Sequence, residues 1–363
     1  MQNQLPERVA MDIAMHWIEH LPPASFSLVM ATGIVSIASE FLGLHWIAMP
    51  LFLINSLFFG VLWVMTAARL LVYPAAVLSD FRAHAKGPGF FTIVAGTCVL
   101  GVQIVLLTEH AGFAAGLWLF ALCLWCLITY AFFTLVIAQS VKPSLGDGLN
   151  GIWLIASVAT QSIAVLGTIV AYRFPDHQQT ILFVCLLFYF MGCMLYLNII
   201  ALLFYRLKFF PIEPTCVTPP YWINMGATAI ATQAGASLLL HAGESPLLLA
   251  LKPFVIGFTL FFWAAGTWWI PLLIALGIWA HWLKRVPIVY TPMFWGAVFP
   301  VGMYTASTYQ LAMASDLHGL LWLPAITIYI ALSAWALTFL GFLRHLLREW
   351  NRWREARLSS YQT

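Results

Sequence analysis

Ten apolar runs dominate the chain, at residues 23–42, 46–73, 90–107, 111–139, 151–171, 180–207, 223–240, 253–281, 294–312 and 320–347. Runs of this length and hydropathy are membrane-spanning helix candidates. Only 8% of residues are charged, against about 25% in an ordinary soluble domain, so a soluble globule could not be solvated. The runs are unbroken rather than alternating, which excludes a β-barrel. With a net charge of +3 and the basic residues in short loops, nucleic-acid binding is excluded as well. The fold class is therefore an all-α polytopic membrane protein. Residues 1–20 contain Glu7, Arg8, Asp12 and Glu19 and no apolar core, so no cleavable signal peptide is expected.

Residues 246–283 carry one charge and are too long for one span and too short for two. Pro253 offers a break, so 246–251 reads as a lead-in and 253–281 as one span. Ten spans place 14 of the 16 Lys and Arg residues on one side, leaving Arg173 and Lys252 opposite. The positive-inside rule makes the basic side cytoplasmic, with both termini there, in an inner or plasma membrane. Residues 1–22 read as an interfacial amphipathic lead-in with Val9, Ile13 and Trp17 toward lipid. Residues 23–347 form the transmembrane domain and 348–363 a basic tail.

The spans alternate in kind. Residues 223–240 hold ten Gly, Ala, Ser or Thr, and residues 180–207 only three. Odd-numbered spans open on aromatics (Phe26, Phe90-Phe91, Trp153, Trp222, Phe294-Trp295) and turn to small and hydroxyl residues. This reads as five tandem helical hairpins. Odd helices would form a central pore and even helices an outer ring against lipid. Small residues also serve ordinary helix packing, but packing alone predicts no strict alternation.

The expected pore lining is Thr32, Gly33, Gly96, Thr97, Gln103, Thr160, Gln161, Thr232, Gln233, Thr305 and Ser307. Glu40 is the one ionisable group in these spans apart from cysteine and tyrosine. That argues against a tightly coupled pump and for a passive conduit. Odd-helix N-termini, each roughly half a positive charge, would face the basic side and favour anions. In the ninth span Pro300 sets a kink, and Phe299 before it is the gate candidate: a ring that closes a narrow lumen by excluding water.

His20-Leu-Pro-Pro-Ala-Ser-Phe26 leading to Met30-Ala-Thr-Gly-Ile34, Lys86-Gly-Pro-Gly-Phe-Phe-Thr92, and Trp295 to Pro300 carry a resemblance. In their order and spacing they resemble the tellurite-resistance/dicarboxylate transporter family. That family includes bacterial tellurite-resistance proteins, fungal malic acid permeases and the slow anion channels of plant guard cells. The resemblance implies five hairpins around a pore, a homotrimer with one pore per subunit, and anion transport. It places the pore-occluding phenylalanine at Phe299. The Pro22–Gly33 and Gly87–Thr92 motifs look closest to the malic acid permease branch, which implies a C4-dicarboxylate such as malate. A channel for chloride or nitrate, or of the tellurite-resistance type, is the alternative.

The expected partners are a small anion and the bilayer; no cofactor, metal or enzymatic activity is expected. His16-Trp-Ile-Glu-His20 matches a zinc-peptidase pattern, so an intramembrane zinc hydrolase using His16, Glu19 and His20 is the rival from another class. No second acidic ligand lies at a credible spacing, and the lead-in helix is the better reading. Cys123 and Cys126 have CxxC spacing but read as buried helix packing.

Overall fold

The computed structural model describes residues 5–216 and 218–360, and the described chain is helical throughout, with no strand. The elements are α1 (Leu5–Glu19), α2 (Ser27–Phe41), α3 (His45–Val72), α4 (Pro74–Arg82), α5 (Phe91–Leu107), α6 (Ala111–Ile137), the single turn α7 (Leu145–Gly148), α8 (Ile155–Val170), α9 (Gln178–Phe209), α10 (Ile223–Leu240), α11 (Pro246–Gly277), α12 (Trp295–Ala314) and α13 (Trp322–Ser360). Among the described residues, seven helical stretches, built on α3, α5, α6, α8, α9, α11 and α13, are long and apolar enough to cross a membrane. The helix α2 is apolar but has only 15 residues. The helices α10 and α12 are built from smaller and more polar side chains.

Short and long helices occupy different environments. Most of the stretches around α5 and α8 is buried, 89% and 94%, against 17% for those of α3 and α13. Every residue from Ser27 to Ser39 of α2 and from Ile223 to Leu239 of α10 is buried. Each long helix packs on the short one before it: α3 on α2, α6 on α5, α9 on α8, α11 on α10, α13 on α12. The short helices contact one another in succession, α2 to α5, α5 to α8, α8 to α10, α10 to α12, and α12 back to α2. Small residues let these backbones approach closely. The bulky Leu and aromatic side chains of the long helices remain on the outside, as Leu53, Leu127 and Tyr329 do.

A tight 3-10 turn precedes four of the short helices: Gly87–Phe90, Gly151–Leu154, Pro219–Trp222 and Pro292–Phe294. Proline near the start suits such a turn, because its missing N–H had no helical acceptor. Consecutive turns touch one another, so these N-terminal ends share one end of the molecule. Thr92 donates to the Pro23 carbonyl (3.3 Å) and joins the Pro22–Phe26 turn before α2 to the same collar. Beside it, Arg69 makes a buried ion pair with Asp80 (2.7 Å) and donates to the Glu19 carbonyl (3.0 Å), tying α1, α3 and α4 together.

Four local expectations are corrected. Pro253 does not break the eighth span. Ser245 caps α11, and Pro253 lies inside the helix, which continues through it although the hydrogen bond to the Leu249 carbonyl is lost. The helix runs unbroken to Gly277 and continues as a π-helix over Ile278–Leu283. The last helix does not stop at 347 but continues to Ser360. Ile13 is buried rather than lipid-facing, because α1 packs on α3 and α13. Cys123 and Cys126 lie on the exposed face of α6 and are not packed inside. The outermost parts of the two flanking segments, 1–4 and 361–363, lie outside the described residues.

Candidate functional site

A narrow cavity of about 20 Å³, room for about one water molecule, lies among the five short helices. All five contribute to it: Ile34 and Ile37 from α2, Val99 and Val102 from α5, Ser162 and Val165 from α8, Ile230 and Gln233 from α10, and Met303 from α12. The three-residue spacing puts each pair on one helical face. The lining is almost wholly apolar, and no Asp, Glu, Lys, Arg or His belongs to it.

One turn nearer the collar, the same faces carry Met30, Ala95, Val158, Gly226 and Phe299. Phe299 is therefore, with Met30, one of two bulky members of this layer, and it is 2% exposed. Pro300 is buried beside Gly226, where a Cβ would lie 2.8 Å from its ring. Because proline has no N–H, α12 loses one helical hydrogen bond there.

Of the other residues singled out from the sequence, Gln233 lines the cavity. Several of the rest reach the long helices instead. Thr32 accepts a hydrogen bond from the Trp335 indole of α13 (3.0 Å), and Thr160 accepts one from the Trp125 indole of α6 (2.8 Å). Gln103 accepts from Asn55 of α3 (2.6 Å). Gln161 donates to the Tyr189 carbonyl of α9 (3.0 Å), and the hydroxyls of Thr305 and Thr327 of α13 are hydrogen-bonded (2.8 Å). Gly33 sits where α2 meets Val99, Gln103 and Asn55, and Gly96 where α5 meets Phe26 and Val29. Thr97 and Thr232 donate to the carbonyls of Ile93 and Thr228, and Ser307 to that of Tyr304.

Sequence reasoning missed the apolar lining, because it searched for polar residues. It also missed Asn55, fully buried on α3, although an asparagine inside an otherwise apolar span was the available signal. Replacing Thr32 by valine leaves the Trp335 indole unpaired. The expected result is a loss of about 1 kcal/mol of stability, read as a lower melting temperature, with transport unchanged.

The collar end is electropositive. Arg82, Lys86, Lys142, Arg206 and Lys284 belong to the segments leading into the short helices. Arg206 donates to the Gly146 carbonyl (3.0 Å) and to the Tyr221 hydroxyl, so it braces two collar segments. Burial, and then nearby Lys142, hold His84 below its ordinary pKa, so at neutral pH the field here comes from Lys and Arg. Glu40, near the C-terminal end of α2, pairs with His45 at 2.9 Å. The rings of His16 and His20 lie 4.2 Å apart, but among the described residues no group of three His, Cys, Asp or Glu could hold a metal ion.

A bundle of buried short helices, an uncharged cavity among them and a basic rim describe a membrane transport protein. The SLAC1 family of voltage-dependent anion channels matches residues 20–343, and the chain belongs to that family. A sulfite efflux pump of Arthroderma benhamiae is 24% identical over 325 residues, covering 81% of this chain and 82% of its own. An uncharacterised transporter of Methanocaldococcus jannaschii is 26% identical over 304 residues, 81% of this chain and 85% of its own. An uncharacterised membrane protein of Mycobacterium tuberculosis is 40% identical over 152 residues, 42% of this chain and 77% of its own. The protein's activity is anion transport across a membrane.

Proposed function

We propose that the protein is a passive anion conduit. Its pore follows the axis among α2, α5, α8, α10 and α12, and Phe299 closes it. The carrying observation is that all five short helices border one cavity, with Phe299 one turn away on the face that Met303 presents to it. The closed succession of contacts and the hairpin-like pairing with the long helices support five tandem hairpins and ten crossings. The lining is then Ile34, Val99, Val102, Ser162, Ile230, Gln233 and Met303, and Pro300 loosens the helix that bears the gate. Basic loops and helix N-termini at the collar would concentrate anions at the cytoplasmic mouth. Both termini lie on that side, and the subunits assemble as a trimer with one pore each.

The cargo is a small anion. An apolar cavity without a cationic side chain penalises a doubly charged C4-dicarboxylate much more than a singly charged ion, because the cost of desolvation rises steeply with charge. The sulfite efflux pump among the relatives supports a small oxyanion. The dicarboxylate reading rests on the Pro22–Gly33 and Gly87–Thr92 motifs. Proteoliposomes offered chloride, sulfite or malate under an imposed potential separate the two. Chloride current and sulfite flux should exceed malate flux, without a proton gradient. Malate uptake that requires a proton gradient, with no chloride current, would overturn the passive reading.

A further inference from the structure

One side chain of the cavity is left chemically incomplete. Gln233 is 5% exposed, and its Oε1 is buried with no hydrogen-bond partner. A buried unpaired carbonyl is costly and rare in a settled interior. Ser162, the other polar lining residue, already donates its proton to the Val158 carbonyl (2.8 Å). The Gln233 carboxamide is therefore the lining group that can both donate and accept, and its acceptor is unused.

A primary amide offers one donor and one acceptor side by side. A halide or a fully ionised oxyanion can use only the donor, and would set its charge beside the unpaired carbonyl. A singly protonated oxyanion has an anionic oxygen and an O–H on adjacent positions and can use both. Building on the pore reading above, we propose that Gln233 is a selectivity site for singly protonated oxyanions. The Gln233 Nε2–H donates to the anionic oxygen, and Gln233 Oε1 accepts from the anion's own O–H. No proton is transferred. The ion enters and leaves as a monoanion, so each passage moves one negative charge. Hydrogensulfite carries both groups on one sulfur; a hydrogendicarboxylate meets the same amide with its protonated carboxyl, whose O–H and neutral carbonyl oxygen are adjacent while its charge sits on the other carboxylate.

The pH dependence that follows belongs to the cargo. Cys98 is the titratable group of the cavity. The nearby titratable side chains on packed helices include Cys185, Tyr189 and Cys193 on α9 and Tyr304 on α12. As side-chain types, thiols and phenols ionise above neutrality, and burial does not favour the charged form.

The test uses the full-length protein in proteoliposomes, with chloride, sulfite and malate at fixed total concentration and varied pH. In the unmodified protein, sulfite or malate flux should rise on acidification in proportion to the singly protonated fraction, while chloride current stays flat. Gln233→Met keeps the length of the side chain but removes both hydrogen-bonding groups. Chloride loses one donor and the oxyanion loses a donor and an acceptor, so both should fall, the oxyanion further, and the oxyanion-to-chloride flux ratio should drop by about tenfold. The arm that loses flux, sulfite or malate, identifies the source of the ligand. An unchanged ratio in Gln233→Met, or flux that follows the dianion, overturns the proposal. If Gln233→Met does not fold, Gln233→Asn, which withdraws the amide by one methylene, should lower the same ratio; an unchanged ratio there overturns it equally. Failure of the pore reading itself would look different: no current of any anion, with or without Phe299.

Discussion

Replacing Phe299 by alanine is expected to raise anion conductance by about tenfold or more. Phe299 is nearly inaccessible, and its layer is completed by Met30, Ala95, Val158 and Gly226. None of these but Met30 is large enough to fill the space that the ring leaves, so its removal would join the cavity to the collar end. Stability separates this account from simple packing. Truncating a phenylalanine packed in a dry core costs about 3–5 kcal/mol. A ring that stands in a lumen leaves a space water can fill, so the loss should be smaller. The account expects high conductance with a modest fall in melting temperature. A large fall in melting temperature with unchanged current would return Phe299 to the packed core.

The second large effect is structural. Gly151 opens the turn before α8, and a Cβ there would fall on the carbonyl group of Pro220 in the turn before α10. The obstacle is backbone, so no rotamer change relieves it. Gly151→Ala should cost about 1–3 kcal/mol, read as a melting temperature several degrees lower in detergent. Because both segments belong to the collar, single-channel current should also become variable between molecules. Gly116, with no atom near its Cβ position, is the control: Gly116→Ala should change neither measurement.

Much of the architecture was legible because the bilayer restricts a chain to few solutions. Apolar run length set the helices. The contrast between residues 223–240 and 180–207 anticipated which helices would be buried. Where individual residues are concerned, composition says less. Thr97, Thr160, Thr232 and Thr305 were assigned to a lumen because hydroxyls look misplaced in an apolar span. Each satisfies its hydroxyl by donating to the carbonyl four residues back, which a helix permits anywhere on its surface. A threonine therefore carries no information about direction. Their oxygens and the glutamine amides are then free to hold the long helices, as Thr160 holds Trp125 and Gln161 holds α9.

The cavity faces are apolar and indistinguishable in sequence from ordinary packing faces. Ile34, Val99 and Ile230 could be placed only once the helices were set beside one another. Pro253 shows a similar limit. Proline removes a helical hydrogen bond, but α11 carries both Pro253 and Pro271 inside it without ending, so a proline alone does not mark where a span begins. The basic-loop asymmetry was readable because it rests on a simple count of Lys and Arg around each run.

The central claim is that the five short helices surround a water-filled path, and native Cys98 provides the most direct measurement. Its thiol borders the cavity from α5 and is shielded in the closed protein. In Phe299→Ala, a small charged thiol reagent added to the bath should react with Cys98 and block the current, and Cys98→Ser in the same background should abolish the block. Current that is unaffected by the reagent, or blocked equally in both, would mean that ions do not pass between these helices.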